Sequence, residues 1–177
     1  MICLETQRLL LRNVIPQDIA VIYGYRNDPV CARYQRGQTK DPEGLQALVE
    51  AHKADTLGVE ANAFVAVALK STGELIGEIV VMPAQGTVSL GYTFSPRYHR
   101  KGYAFEALSE VIGTLHRENP GWDFISFTEP ENTASMALLK KLGYRDMGYS
   151  PKLESKIFGK WTAPETEAEI AQATGKK

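Results

Sequence analysis

The stretch Gly91-Tyr-Thr-Phe-Ser-Pro-Arg-Tyr-His-Arg-Lys-Gly-Tyr-Ala-Phe-Glu-Ala-Leu108 decides the fold of this 177-residue chain. Its first part belongs to an alternation in which Val88, Leu90, Tyr92 and Phe94 are separated by Ser89, Gly91, Thr93 and Ser95, the period-two pattern of a strand. Gly91 inside it marks a bulge or a close approach of a ligand to the main chain. Its last part opens a helix. Phe105, Leu108, Val111, Ile112 and Leu115 form one apolar stripe at the 3.6-residue period, and Asn119-Pro120-Gly121 stops it. The basic turn between them leaves several backbone N–H groups unpaired at the positive end of a helix dipole, where a phosphate or pyrophosphate is stabilised. Gly102 lets the main chain come close to such an anion, Ala104 keeps the approach uncluttered, and Arg100 and Lys101 add positive charge. The bland alternative is a glycine-capped structural turn with two solvated cations.

Two common phosphate motifs do not fit. A nucleotide P-loop needs two glycines five apart followed by Lys-Ser/Thr, and the chain has no such run. A dinucleotide turn needs three glycines, and this one has a single glycine. A second block lies downstream: Asn132-Thr-Ala-Ser-Met-Ala-Leu-Leu-Lys-Lys-Leu-Gly-Tyr144, preceded by the apolar strand Phe124–Thr128 and the turn Glu129-Pro-Glu131. Met136, Leu139 and Leu142 make a helical face, Gly143 sits at the stop position, and Asn132 and Ser135 stand where side chains cap free N–H groups.

Taken together, the blocks resemble the GNAT superfamily of acetyl-CoA-dependent N-acetyltransferases. His99-Arg100-Lys101-Gly102-Tyr103-Ala104 occupies the position of that family's coenzyme A signature, Gln/Arg-x-x-Gly-x-Gly/Ala. The continuation Gly-Tyr-Ala-x-Glu-Ala-Leu is similar to the branch containing the ribosomal-protein N-terminal acetyltransferases. Asn132, Ser135, Lys141, Gly143 and Tyr144 match that branch's downstream signature, and Glu5–Arg12 and Asn27-Asp-Pro-Val30 match its opening. The resemblance runs from about Leu4 to Tyr149. One departure is His99, where Gln or Arg is usual; an imidazole facing the pyrophosphate would make coenzyme affinity depend on pH.

The resemblance implies an α/β fold with a mixed, mostly antiparallel central sheet flanked by helices, in which the central strand and the strand after the crossover helix splay apart. The backbone of Tyr92, Thr93 and Phe94 is expected to pair with the pantetheine amides like an added strand. Residues His99 to Ala104, with Tyr103, are expected to hold the pyrophosphate. An N–H near Phe94 is expected to stabilise the oxyanion. Asn132 is implied to hydrogen-bond the pantetheine arm or a water, and Ser135 to assist the departing thiolate. The carboxylate that the branch often carries before the central Ile/Leu-Gly-Tyr is missing from Val88-Ser89-Leu90-Gly91-Tyr92. Glu78 is the remaining acidic candidate for a general base, although alternation also allows it to face outward. Glu106 reads as an anchor of the crossover helix.

Composition agrees with one ordinary folded domain. Hydrophobic residues at 44% and a net charge of −1 give no reason to expect nucleic acid or a membrane as partner. Cys3 and Cys31 suit a reducing cytoplasmic setting, and His52 and His116 lack a second ligand at metal spacing. A single domain is expected over 1–162, with 163–177 a loose helix or a disordered tail. The coarse pattern places strands at 8–13, 63–69, 75–82, 88–94, 124–128, 145–149 and 156–161, and helices at 18–26, 29–34, 41–54 and 135–142, besides the helix that carries the Phe105–Leu115 stripe and stops at Asn119-Pro120-Gly121. The acceptor is expected to be an amine, on a small molecule or a protein N-terminus. A homodimer fits the resemblance, and no metal is implied. The other open reading is an acyl-CoA-binding or sensor module without turnover.

Overall fold

The computed structural model describes residues 1–176 and contains eight strands in one sheet. These are β1 (Cys3–Glu5), β2 (Leu9–Arg12), β3 (Ala63–Leu69), β4 (Leu75–Ala84), β5 (Thr87–Phe94), β6 (Asp123–Thr128), β7 (Arg145–Ser150) and β8 (Ser155–Lys160), in the order β1-β2-β3-β4-β5-β6-β8-β7. Six helices flank it: α1 (Ile19–Arg26), α2 (Pro29–Ala32), α3 (Pro42–His52), α4 (Tyr103–Glu118), α5 (Thr133–Lys141) and α6 (Pro164–Thr174). Every neighbouring pair is antiparallel except β5 and β6, which α4 connects as a crossover. The mixed, mostly antiparallel sheet expected from the sequence is therefore present. No helix among the described residues is long and apolar enough to cross a membrane.

Both faces of the sheet are covered, and β3 shows how. Val65 and Val67 pack toward α4 and α5 with Leu108, Val111, Leu115 and Phe124, whereas Phe64 and Ala66 pack toward α1 and α3 with Ile22, Leu45 and Val49. This explains why Ala63–Leu69 reads as an unbroken apolar run: both sets of alternating side chains are buried. The register between β3 and β4 slips at Val67/Ala68, the signature of a bulge. Just beyond it, a side chain at Gly77 would lie 2.6 Å from both the Phe94 ring and the Thr93 carbonyl, so its absence lets the end of β5 sit flat on β4. The segment expected as a loose helix or a disordered tail contains α6, whose Ile170 packs with Ile125 and Ile157 on the far edge of the sheet. Lys177 lies outside the described residues. At the closed end of the β5/β6 junction, Trp161 stacks on His116 at 3.6 Å and meets Phe124 edge-on.

Helix α4 is tied to the start of the sheet through Glu106. Its carboxylate accepts from the Thr6 hydroxyl, the Arg8 amide at 2.8 Å and the Arg8 Nε at 2.7 Å. Burial alone would raise this carboxyl, but the hydrogen bonds from Thr6 and Arg8 and the Arg8 charge outweigh it and hold its pKa below the ordinary value. A depressed folded-state pKa contributes stability above the unfolded value and loses it as pH falls through the folded one. Glu106→Gln is therefore expected to flatten the acid limb of a plot of melting temperature against pH below about pH 4.5. An unchanged limb would show that the carboxylate adds nothing to the attachment.

Candidate active site

Strands β5 and β6 pair only at Thr87 with Asp123 and Val88 with Phe124. Beyond those two rungs they diverge, and the wedge opens two cavities. The larger, about 750 Å³, runs from the turn at Tyr98–Phe105 past Phe94 to α5. The smaller, about 320 Å³, lies between Leu90–Tyr92 of β5 and Ser126–Thr128 of β6. They share a wall made of Tyr34, Gln35, Tyr92, Asn132 and Ser135.

At one end of the larger cavity, Arg100 and Gly102 adopt left-handed backbone angles with φ of 61° and 80°. The α4 ladder begins with the Glu106 amide donating to the Gly102 carbonyl. No side chain caps the helix start, so the Tyr103, Ala104 and Phe105 amides have no partner among the described residues. Arg8 stiffens the turn: its Nη1 donates to the Lys101 carbonyl at 2.9 Å, and its guanidinium lies 4.3 Å above the Tyr103 ring. A diphosphate fits this group of open amides, and Arg100 reaches the same cavity wall.

His99 points elsewhere. Its Nε2 lies 2.7 Å from the Phe94 carbonyl, which the Cys31 thiol also approaches at 3.2 Å. The imidazole Nε2 thus serves the end of β5, while His99 also lines the larger cavity. Burial pushes the Cys31 pKa up to about 11, so the thiol stays protonated and acts as a donor at neutral pH.

The backbone of β5 divides as strand geometry requires. Thr93 pairs directly with Glu78 of β4 and its carbonyl lies against Gly77, so its main-chain groups face into the sheet. Tyr92 and Phe94 face the wedge, where their carbonyls accept from Gln35 Nε2 at 3.2 Å and from His99 and Cys31. Of the three residues expected to offer backbone to a pantetheine arm, Tyr92 and Phe94 are placed for it. Thr93 is not, because alternate residues of a strand point their N–H and C=O to opposite sides. Its buried hydroxyl instead accepts from Gln38 at 3.0 Å.

At the shared wall, the Tyr92 hydroxyl and Ser135 Oγ are 2.7 Å apart. The Asn132 carbonyl oxygen accepts from the Ser135 amide at 3.1 Å, capping α5. Capping occupies only that oxygen, so the Asn132 amide nitrogen is available to a ligand. Burial raises the Tyr92 pKa, against the opposite pull of its Ser135 bond.

Glu78 departs from expectation. It does not face outward and lines neither of these two cavities: it is 1% exposed, beneath α1. Both carboxylate oxygens receive the Arg26 guanidinium, and the Tyr25 hydroxyl donates as well. Alternation misleads here because the second face of β4 is also roofed by helices.

Gln35, Arg36, Ser126, Thr128 and Glu129 line the smaller cavity without a local signal in the sequence. Arg36 Nη2 pairs with Glu129 Oε1 at 2.8 Å across the mouth of the smaller cavity. Gln35 and Arg36 lie on the loop between α2 and α3 and carry no periodicity. Ser126 and Thr128 fall on a strand whose two faces are nearly equally buried, and Glu129 sits in what reads as a turn.

Comparison with known proteins adds to this geometry. Residues 8–145 match the model of the acetyltransferase (GNAT) domain. The chain is 32% identical over 151 residues to the protein named "Uncharacterized N-acetyltransferase YnaD" of Bacillus subtilis, covering 84% of this chain and 86% of that one. Among solved structures it is similar to an acetyltransferase (GNAT family) from Bacillus anthracis, with a TM-score of 0.76, 24% identity, and coverage of 89% and 96%. It is also similar to a ribosomal-protein-S5-alanine acetyltransferase from Vibrio fischeri, with a TM-score of 0.73, 19% identity, and coverage of 92% and 100%. At those identities the structural likenesses speak for the fold.

Proposed function

This chain belongs to the acetyltransferase (GNAT) family, and from that premise we propose that it moves an acetyl group from acetyl-CoA directly to a primary amine, with donor and acceptor bound together. The observation that carries the reading is the shared wall. One cavity has a helix start suited to a diphosphate, the other is lined by polar groups, and they meet only at Tyr34, Gln35, Tyr92, Asn132 and Ser135.

In this reading the amides of Tyr103, Ala104 and Phe105 hold the coenzyme pyrophosphate, supported by the Arg100 and Lys101 charges. The wedge-side N–H groups of β5 donate to the pantetheine arm, since the Tyr92 and Phe94 carbonyls already accept from Gln35, His99 and Cys31, and the Asn132 side-chain nitrogen donates to it as well. An N–H at the end of β5 supports the oxyanion. The amine nitrogen bonds to the acetyl carbon, the carbon–sulfur bond breaks, and the thiolate takes a proton with help from the Ser135 and Tyr92 hydroxyls. Glu78 is not given the base role, since its oxygens are already committed. Among the described residues, Glu129 is the only carboxylate on either cavity wall; Arg36 bonds its Oε1, and it receives the proton released by the amine.

The test follows thiol release from acetyl-CoA with an amine panel, alongside calorimetric coenzyme binding. Ser135→Ala is expected to lower kcat by roughly 10- to 100-fold while changing coenzyme affinity less than about threefold. Tight coenzyme binding without amine-dependent thiol release would replace the enzyme with a sensor. Equal losses in binding and turnover would remove Ser135 from the chemical step.

A further inference from the structure

The smaller cavity carries a specific balance of charge. Its only ionisable walls of opposite sign are Arg36, from the loop between α2 and α3, and Glu129, from the loop between β6 and α5. Both Arg36 nitrogens that reach Glu129 contact the same oxygen, Nε at 3.0 Å and Nη2 at 2.8 Å. The Arg36 side chain is 60% exposed and that of Glu129 27%, so the cation sits at the mouth and the anion deeper, three residues before Asn132. The remaining polar lining is uncharged. Ser126 and Thr128 are nearly buried on the cavity wall.

The geometry points to an acceptor that is a free amino acid, with an ammonium and a carboxylate on one small molecule; this rests on the acetyl-transfer reading above. An ion pair as open as this one contributes little to stability, so separating it costs little. An entering zwitterion replaces one pair with two: its ammonium meets Glu129, and its carboxylate meets the planar Arg36 fork. A polyamine would bring several positive charges to a single carboxylate already matched by Arg36. A protein N-terminus has its first carbonyl tied up in a peptide bond and offers Arg36 no anion. An amino sugar would suit the hydroxyls but would leave Arg36 facing a second cation. A volume of about 320 Å³ suits a molecule of this size.

The test compares amino acids from alanine to methionine with their C-terminal amides as acceptors of acetyl-CoA, with spermidine, glucosamine and an alanyl tripeptide alongside. The amides lose their ammonium proton more easily, so intrinsic reactivity favours them. The enzyme is nevertheless expected to use the free acids with a kcat/KM about tenfold higher. In Arg36→Gln that ratio is expected to fall to about one, through a raised KM for the acids at nearly constant kcat. The free acids, and not the amides, are expected to raise the melting temperature of the protein loaded with CoA. Equal use of acids and amides, or a preference for spermidine, glucosamine or the tripeptide, would overturn the inference and leave acetyl transfer standing. Coenzyme binding with no thiol release for any acceptor would overturn both.

Discussion

Glu78→Ala is expected to destabilise the protein by roughly 3–5 kcal/mol, because it removes one half of a buried ion pair. Arg26 is 3% exposed, and without Glu78 its guanidinium keeps, among the described residues, only the Thr39 carbonyl, at 2.8 Å, as a hydrogen-bond acceptor. Removing a partner is far costlier than exchanging both for apolar groups, since the remaining charge stays desolvated. The Tyr25 hydroxyl loses its acceptor as well. Burial first, then the neighbouring Glu78 charge, raises that phenol's pKa well above normal, so it remains a donor at any physiological pH. For a chain of this length the loss corresponds to a fall in melting temperature of about 6–20 °C. Glu78→Gln retains an acceptor for Tyr25 and should cost less. If Glu78→Ala melts normally yet has no activity, Glu78 is a catalytic base after all and the assignment of the proton to Glu129 fails.

The second large effect separates binding from folding. Gly102→Asp places a carboxylate at the helix start where the open amides of α4 converge. The left-handed angle there costs a non-glycine residue about 1 kcal/mol, but aspartate tolerates it better than most. A Cβ would stand 3.3 Å from the Arg8 Nη2, the end of a flexible cation. A carboxylate beside α4's amides and Arg8 caps the helix, which offsets the strain by about 1 kcal/mol. Melting should therefore move by only a few degrees. Coenzyme affinity should fall by about 100-fold or more, about 2.7 kcal/mol, because the substituted protein fills its own anion site and repels a second anion. Unchanged affinity would mean that the pyrophosphate lies elsewhere, and the assignment of the larger cavity would go with it.

The fold was readable because its deciding elements have one period each. The β5 alternation, the α4 stripe and the Asn132–Tyr144 block each point to a single local structure, and α4 forces β5 and β6 to run parallel. The short β1 and the α6 attachment were less visible. β1 has three residues, and α6 buries a single side chain, Ile170, too little apolar surface to leave a pattern. At the site, Gly102, Asn132 and Ser135 could be named in advance because caps and turns have local chemistry. Glu78 could not be oriented, since its surroundings come from α1, more than fifty residues away in sequence. His99 shows the same limit: its position in the turn suggested an anion, whereas the bond it makes is to the end of the preceding strand. The Arg36–Glu129 pair is 93 residues apart in sequence and has no local signal at all.

The two rungs that join β5 to β6 also make the base of the wedge a pivot. β4 holds β5 from Thr87 to Phe94, so a change in the wedge angle is carried by β6; from Phe124 to Thr128 a strand extends about 13 Å, and a rotation of about 5° at the rungs would move Thr128 by roughly 1.1 Å. Displacements of that order are enough to misalign reacting atoms. The rings of Phe124, Trp161 and His116 packed at the apex thus act as a bearing, and substitutions there would alter rate through leverage without touching either substrate.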